Sequence, residues 1–292
     1  MNINHKTKNC KTWKKVLYLD QGFPDNYVPE SFLNDTKKNI FVRKYNYWTL
    51  VKNSVVLLQQ ICIVSLFILV WWIMSKPSIC SPKTVVIFSF FTSLCGCAVY
   101  YTIKPETIKD YNLIGSNLKV LCLIIGFCYY FSPLLRTLTH TISTDTVYAM
   151  TTFAIFFHLL FHNYNQSDRF VVVASRSISF NSAVFAAVCL ASRLETNLHS
   201  FATITLALQL FGFWPFLQTL AWKHHPNSFA IAVHIVQLIL IAAWFFTSFT
   251  MSLLFATTSF SVTFVFPLLL VSLQSHKDNV HGPWDEAVID GN

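Results

Sequence analysis

From Ser54 to Met74 the chain runs 21 residues without a charged side chain, and from Ser252 to Leu273 it does so for 22. A hydrocarbon core about 30 Å thick is crossed by about 20 helical residues. Lipid offers no partner to a free backbone amide, so an apolar run of that length forms a helix. Comparable segments recur at Thr84–Tyr101, Asn117–Leu135, Thr146–Phe161, Phe180–Ser192, Phe201–Trp222 and Phe229–Phe249. None has the strict alternation of a barrel strand. The fifth is the shortest, and Ser175, Arg176, Ser177 and Ser179 precede it. It therefore starts earlier, tilts or inserts in part. Thr250 and Met251 alone separate the last two, which requires a tight helical hairpin. The expected fold is all-α: a polytopic membrane protein of about eight transmembrane helices. Residues 1–53 form a basic N-terminal arm, 54–273 the helical domain and 274–292 a C-terminal tail.

Composition agrees, with 54% hydrophobic and 12% charged residues, against roughly 45–50% and 25% in soluble domains. An ordinary soluble enzyme, a disordered chain and a disulfide-rich secreted module are thereby excluded. The net charge of +8 is uneven, since residues 1–53 hold ten Lys/Arg against four Asp/Glu. For a membrane protein this asymmetry points to anionic cytosolic lipid and to orientation rather than to nucleic acid. An even number of spans places both termini on one side. With that side cytosolic, 17 of the 21 Lys/Arg lie inside, counting with them Lys119 at the mouth of the third span. The first 53 residues are polar, so the first span is expected to act as an uncleaved anchor. The sequons at Asn34 and Asn165 both fall on the cytosolic side and are expected to carry no glycan.

The chain lacks GxGxxG, a P-loop and Asp-x-Asp, and offers no soluble lobe large enough to hold a nucleotide. No cofactor is expected. Six of the eight cysteines lie inside spans, where they act as small apolar side chains. His158 and His162 share a helix face at i, i+4, as two metal ligands would. Interfacial histidines bonded to lipid or backbone are the simpler reading, and no metal is expected. Arg136 and the hydroxyl row from Thr137 to Thr146 could bind a lipid phosphate or a partner helix. Helix capping and interhelical hydrogen bonding account for them with fewer assumptions. Ser182/Ala186, Ala183/Ala187 and Ala191 form small-residue rows that allow close helix approach, within this chain or against a partner. In the arm, Gln21 to Pro29 is turn-rich with aromatic anchors suited to docking.

Several blocks, read in order, are similar to one family. They are Trp13-Lys14-Lys15-Val16-Leu17-Tyr18, the Gln21-to-Val28 stretch, Ser31-Phe32-Leu33, Ser132 to Met150, Leu190-Ala191-Ser192-Arg193-Leu194, and Asn279 to Ala287. Together they span nearly the whole chain and resemble the PIG-C family, one of the subunits of the phosphatidylinositol N-acetylglucosaminyltransferase complex. His140 departs from the acidic or polar residue more usual there. The resemblance implies a multi-pass subunit of the endoplasmic reticulum membrane with both termini cytosolic. It implies a place in the first step of glycosylphosphatidylinositol (GPI) anchor synthesis, transfer of N-acetylglucosamine from UDP-N-acetylglucosamine to phosphatidylinositol. Catalysis belongs there to another subunit, PIG-A. The further implied partners are PIG-H, PIG-P, PIG-Q, PIG-Y and the regulatory subunit of dolichol-phosphate-mannose synthase.

The expectation is then a scaffold subunit, not itself catalytic, that docks partners through Phe23, Pro24, Asp25, Asn26 and Tyr27 and through Pro283, Trp284 and Asp285. Lys104, Lys109, Lys223 and His224, placed by cytosolic loops near the headgroups, are candidates for the inositol phosphate. The alternative is a standalone lipid carrier or scramblase, with Asn181, Ser182, Thr203 and Thr205 as its polar groove. A self-contained membrane transferase is a third class.

Overall fold

The structure, a computed structural model, describes residues 22–24, 27, 37–39, 45–76, 81–103, 111–139, 141–164, 169–278 and 280–281. Among the described residues, eight helical rods follow one another. They are α1 (Tyr47–Met74), α2 (Pro82–Ile103), α3 (Tyr111–Thr137), α4 (Thr144–Phe161), α5 (Arg169–Ala191), a rod of three parts, α8 (Pro226–Thr247) and a second composite rod. The first composite rod is α6 (Asn197–Ala207), a π-helical turn π1 (Leu208–Phe213) and α7 (Trp214–His224). The second is α9 (Phe249–Phe260), π2 (Ser261–Val265) and α10 (Phe266–Gln274). Seven rods are long and apolar enough to cross a membrane, while the described apolar part of α5, Ser175–Ala191, is shorter. The protein is an all-helical, multi-pass membrane protein.

Local chemistry sets the helix ends. Ser143 caps α4 by accepting from the Thr146 amide, and Thr196 caps α6 by accepting from that of His199. Pro82 and Pro226 open α2 and α8, where a missing amide proton costs nothing. Pro133 does not end α3, which continues to Thr137. The hairpin turn expected at Thr250 and Met251 falls instead at the extended Ser248, and the Ser252 hydroxyl then donates back to Ile241 O at 2.9 Å. Two boundaries move further. The helix of the first span begins at Tyr47 rather than Ser54, and that of the fifth at Arg169 rather than Phe180.

α1 is the central rod. One face packs Phe67 and Trp71 with Ala183, Ala187 and Ala191 of α5, Ala202 of α6 and Phe211 of π1. Its other face packs Leu58 and Leu69 with Val233, Leu240 and Trp244 of α8 and Phe255 of α9. The small-residue rows of α5 are thus consumed inside the chain, where they let α5 lie against its neighbours. Large apolar side chains on the outside, such as Phe88, Leu123, Tyr130 and Phe246, are those a bilayer solvates.

The chain divides into two compact units, residues 47–268 and residues 1–46 with 269–292. In the latter, β1 (Lys37–Lys38) and β2 (Val280–His281) pair antiparallel, Lys37 opposite His281 and Lys38 opposite Val280. Asn39 Nδ2 donates to Asp278 Oδ1 at 3.0 Å, and the Tyr45 amide donates to Gln274 Oε1 at 3.3 Å. The arm and the tail are therefore joined by main-chain and side-chain bonds.

Candidate functional site

A cleft of about 1260 Å³ opens in the helical unit. The start of α1, the end of α4, the first half of α5, π1, α7 and the start of α8 all reach it, so it lies at the end of the bundle where α1 begins. Lys52, Arg176 and Lys223 line it, contributed by α1, α5 and α7, and no carboxylate is among its described lining residues. Arg176 lies over the Phe216 ring, 5.3 Å from its centroid. Phe180, Phe211, Phe213, Phe216 and Trp222 give the cleft an apolar wall, and Asn53, Asn163 and Gln218 add amides.

Two backbone features shape that wall. The π turn places Phe211, Gly212 and Phe213 on the cleft, and π turns are frequent at functional sites. A Cβ on Gly212 would lie 3.2 Å from Phe180 Cε2, so the absence of a side chain lets the Phe180 ring rest against the turn. Gln218 is only 5% exposed, and its Oε1 has no hydrogen-bond partner. His162 adds no fourth charge at neutral pH. Burial, reinforced by His158 and by the Arg176 cation, pushes its pKa down to about 4. Burial likewise raises the neighbouring Tyr164 phenol, which donates to Leu159 O at 2.7 Å.

Behind the cleft, the His158 and His162 rings are 5.6 Å apart between centroids. His158 is not interfacial. It is 1% exposed, and both ring nitrogens are used. Gln60 Nε2 donates to His158 Nε2 at 2.6 Å, which leaves the ring proton on Nδ1, 2.9 Å from the Ser179 carbonyl. The pair ties α1, α4 and α5 together. A lone pair engaged in this way is not free for a metal.

The opposite end of the bundle is laced shut. Arg193 Nη2 donates to the carbonyls of Thr139 at 2.7 Å and Ile142 at 2.8 Å. Thr139 and Ser192 share a hydroxyl bond, and Ser132 Oγ donates to Asn197 O. Arg136 Nη1 donates to Asn197 Oδ1 at 3.3 Å, and Trp71 Nε1 to Leu190 O at 2.9 Å. The hydroxyl row thus performs capping and interhelical bonding.

Of the headgroup candidates, Lys223 lines the cleft and His224 is exposed beside it at the end of α7. Lys104 and Lys109 lie outside the described residues. Lys52 and Arg176 were missed because each interrupts the polar edge of an apolar run and so reads as a helix boundary. Their shared side of the bilayer was the available signal. Of the docking candidates, Phe23, Pro24 and Tyr27 make a turn, with the Tyr27 amide donating to Pro24 O at 2.9 Å and the two rings 4.4 Å apart. Asp25, Asn26, Pro283, Trp284 and Asp285 lie outside the described residues. The groove considered for a lipid carrier is not assembled. Ser182, Thr203 and Thr205 each donate to a carbonyl of their own helix, and Thr203 is fully buried.

Fold and cleft define a class, the multi-pass helical membrane proteins with a basic, aromatic-walled opening at one end of the bundle. The comparisons with known proteins narrow this. Residues 13–285 match the model of the GPI2 family, described as phosphatidylinositol N-acetylglucosaminyltransferase. The chain is 39% identical over 279 residues to a phosphatidylinositol N-acetylglucosaminyltransferase subunit of Rattus norvegicus, covering 95% of this chain and 93% of that relative. A putative subunit of the same transferase in Dictyostelium discoideum is 35% identical over 286 residues, covering 95% and 79%. The GPI2 subunit of Schizosaccharomyces pombe is 28% identical over 288 residues, covering 95% and 87%. No solved structure matches the chain. The chain belongs to the GPI2 family of phosphatidylinositol N-acetylglucosaminyltransferase subunits.

Proposed function

We infer that this chain is the membrane scaffold subunit of a complex that transfers N-acetylglucosamine from UDP-N-acetylglucosamine to phosphatidylinositol, opening GPI anchor synthesis. The observation that carries this is the near-full-length match to relatives named as subunits of that transferase. The chain's own chemistry supports a role other than sugar-nucleotide catalysis, since its sequence is largely membrane helix and holds no phosphate-cradling motif. Catalysis then falls to PIG-A, with PIG-H, PIG-P, PIG-Q, PIG-Y and the regulatory subunit of dolichol-phosphate-mannose synthase completing the assembly. The complex works in the endoplasmic reticulum membrane, and both termini of this scaffold face the cytosol.

In this reading, residues 1–53 and 274–292 dock the catalytic partner, through Phe23, Pro24, Asp25, Asn26 and Tyr27 from the arm and Pro283, Trp284 and Asp285 from the tail. Lys104, Lys109, Lys223 and His224 stand on the headgroup side. The test is affinity purification of the tagged full-length chain in mild detergent. Chains carrying a sugar-nucleotide fold should co-purify, and the preparation should transfer N-acetylglucosamine to phosphatidylinositol. Transfer by this chain stripped of every companion would refute the scaffold role. Purification without any transferase subunit would refute the complex.

A further inference from the structure

We propose that the cleft holds the headgroup of an anionic phospholipid, with Lys52, Arg176 and Lys223 around its phosphate and Gln218 bonded to a hydroxyl or amine of the headgroup. Charge is the first argument. Three cations line one opening, with no carboxylate among the described lining residues to neutralise them. All three are exposed at the end of the bundle, where like charges lining one opening repel one another unless an anion sits between them. An anion held among them relieves that repulsion directly.

Size and wall chemistry are the second argument. At about 1260 Å³ the cleft exceeds the roughly 300–1,000 Å³ of small-molecule pockets. A free phosphate would leave most of it empty. The wall of Phe180, Phe211, Phe213, Phe216 and Trp222 is apolar, as the glycerol and first acyl carbons require. A ligand charged at one end and apolar at the other fills both parts.

Gln218 supplies the third argument, because its buried Oε1 accepts no hydrogen bond from the protein. A buried acceptor without a donor is unfavourable, and a donor on a ligand entering the cleft would satisfy it. A phosphodiester at neutral pH has no proton to give, and a choline headgroup has none either. An inositol hydroxyl or a serine ammonium does. The requirement is therefore for negative charge together with a hydrogen-bond donor. The inference rests on the transferase reading only where the bound lipid is taken to be the acceptor for transfer; binding itself stands apart from it.

The experiment uses the tagged full-length chain, purified in mild detergent with its companions and exposed to phosphatidylinositol carrying a photoreactive, clickable acyl chain. Crosslinked peptides should map to α1, α5, π1 and α7 around the cleft. The triple variant Lys52→Gln, Arg176→Gln, Lys223→Gln should lose labelling there by at least about tenfold, equivalent to about 1.4 kcal/mol. The double variant Lys52→Arg, Lys223→Arg should retain it. Vesicles of phosphatidylinositol or phosphatidylserine should compete with the probe, whereas phosphatidylcholine vesicles and inorganic phosphate should not. Undiminished labelling of the triple variant overturns the proposal. So does competition by phosphatidylcholine as strong as by phosphatidylinositol. Displacement by inorganic phosphate would reassign the cleft to free phosphate. Because the competitors act on the unsubstituted chain, misfolding of the triple variant leaves the test intact. Companion chains recovered in the same preparations report on the transferase reading separately.

Discussion

The two ends of the helical bundle each present an arginine to the membrane interface, and they use it in opposite ways. Arg193 spends its guanidinium on the carbonyls of Thr139 and Ile142, locking the α3–α4 connection to the end of α5. Arg176, in the first half of α5, lies over the face of Phe216 and borders an open cleft with two lysines. At the first end the polar groups meet one another. At the second, three cations line an opening. Identical residue types thus serve cohesion at one end and line an opening at the other, where we propose that they serve recognition.

The sharpest way to break this contrast is to remove the lock. Replacing Arg193 with Leu strips two charge-assisted bonds, each worth roughly 1.5–3 kcal/mol. The thermal midpoint in detergent should fall steeply, with Arg193→Lys recovering only part, because an ammonium lacks the planar fork. An unchanged melting curve would show the laced end to be ornamental. Ala187→Leu comes next. It forces a branched side chain into the fully buried row between α5 and its neighbours and should cost about 1–3 kcal/mol. Full stability there would mean that α5 packs elsewhere.

At the open end, neutralising Lys52, Arg176 and Lys223 together should leave the melting curve almost in place, each change staying within about 0.5 kcal/mol. A collapse on the scale of the Arg193 variant would make the cations structural and erase the difference between the ends. The smallest effect is expected at the sequons. Asn34 and Asn165 should show no endoglycosidase-sensitive mass shift in cells. A shift at either would turn the open end toward the lumen.

The architecture was largely legible in the sequence because a bilayer imposes one length and one hydrogen-bonding rule on every span. What hydropathy hid was the beginning of α1 and of α5. Lys52 and Asn53 at one, and Arg176, Ser177 and Ser179 at the other, looked like polar ends of apolar runs, yet each sits within a continuous helix and lines the cleft. The site was thus obscured by the residues that make it, since polarity marks a membrane boundary and a membrane-embedded opening alike. Lys223 was legible because it stands at a true helix end. Gln218 was not, because nothing in its local sequence separates an amide facing solvent from one enclosed without a donor. The bonding of His158 to Gln60 was equally hidden, as it joins positions 98 residues apart.

The winding of Leu208–Phe213 carries a last implication. A π turn absorbs one residue more than an α turn. Six residues wound at about 4.4 per turn carry the chain through nearly the same angle as five at about 3.6. Excising one residue there would therefore return the rod to regular winding while Gln218 and Lys223 kept their bearing toward Lys52 and Arg176. What the surplus residue supplies is girth, the widened turn that sets Phe211, Gly212 and Phe213 on the cleft.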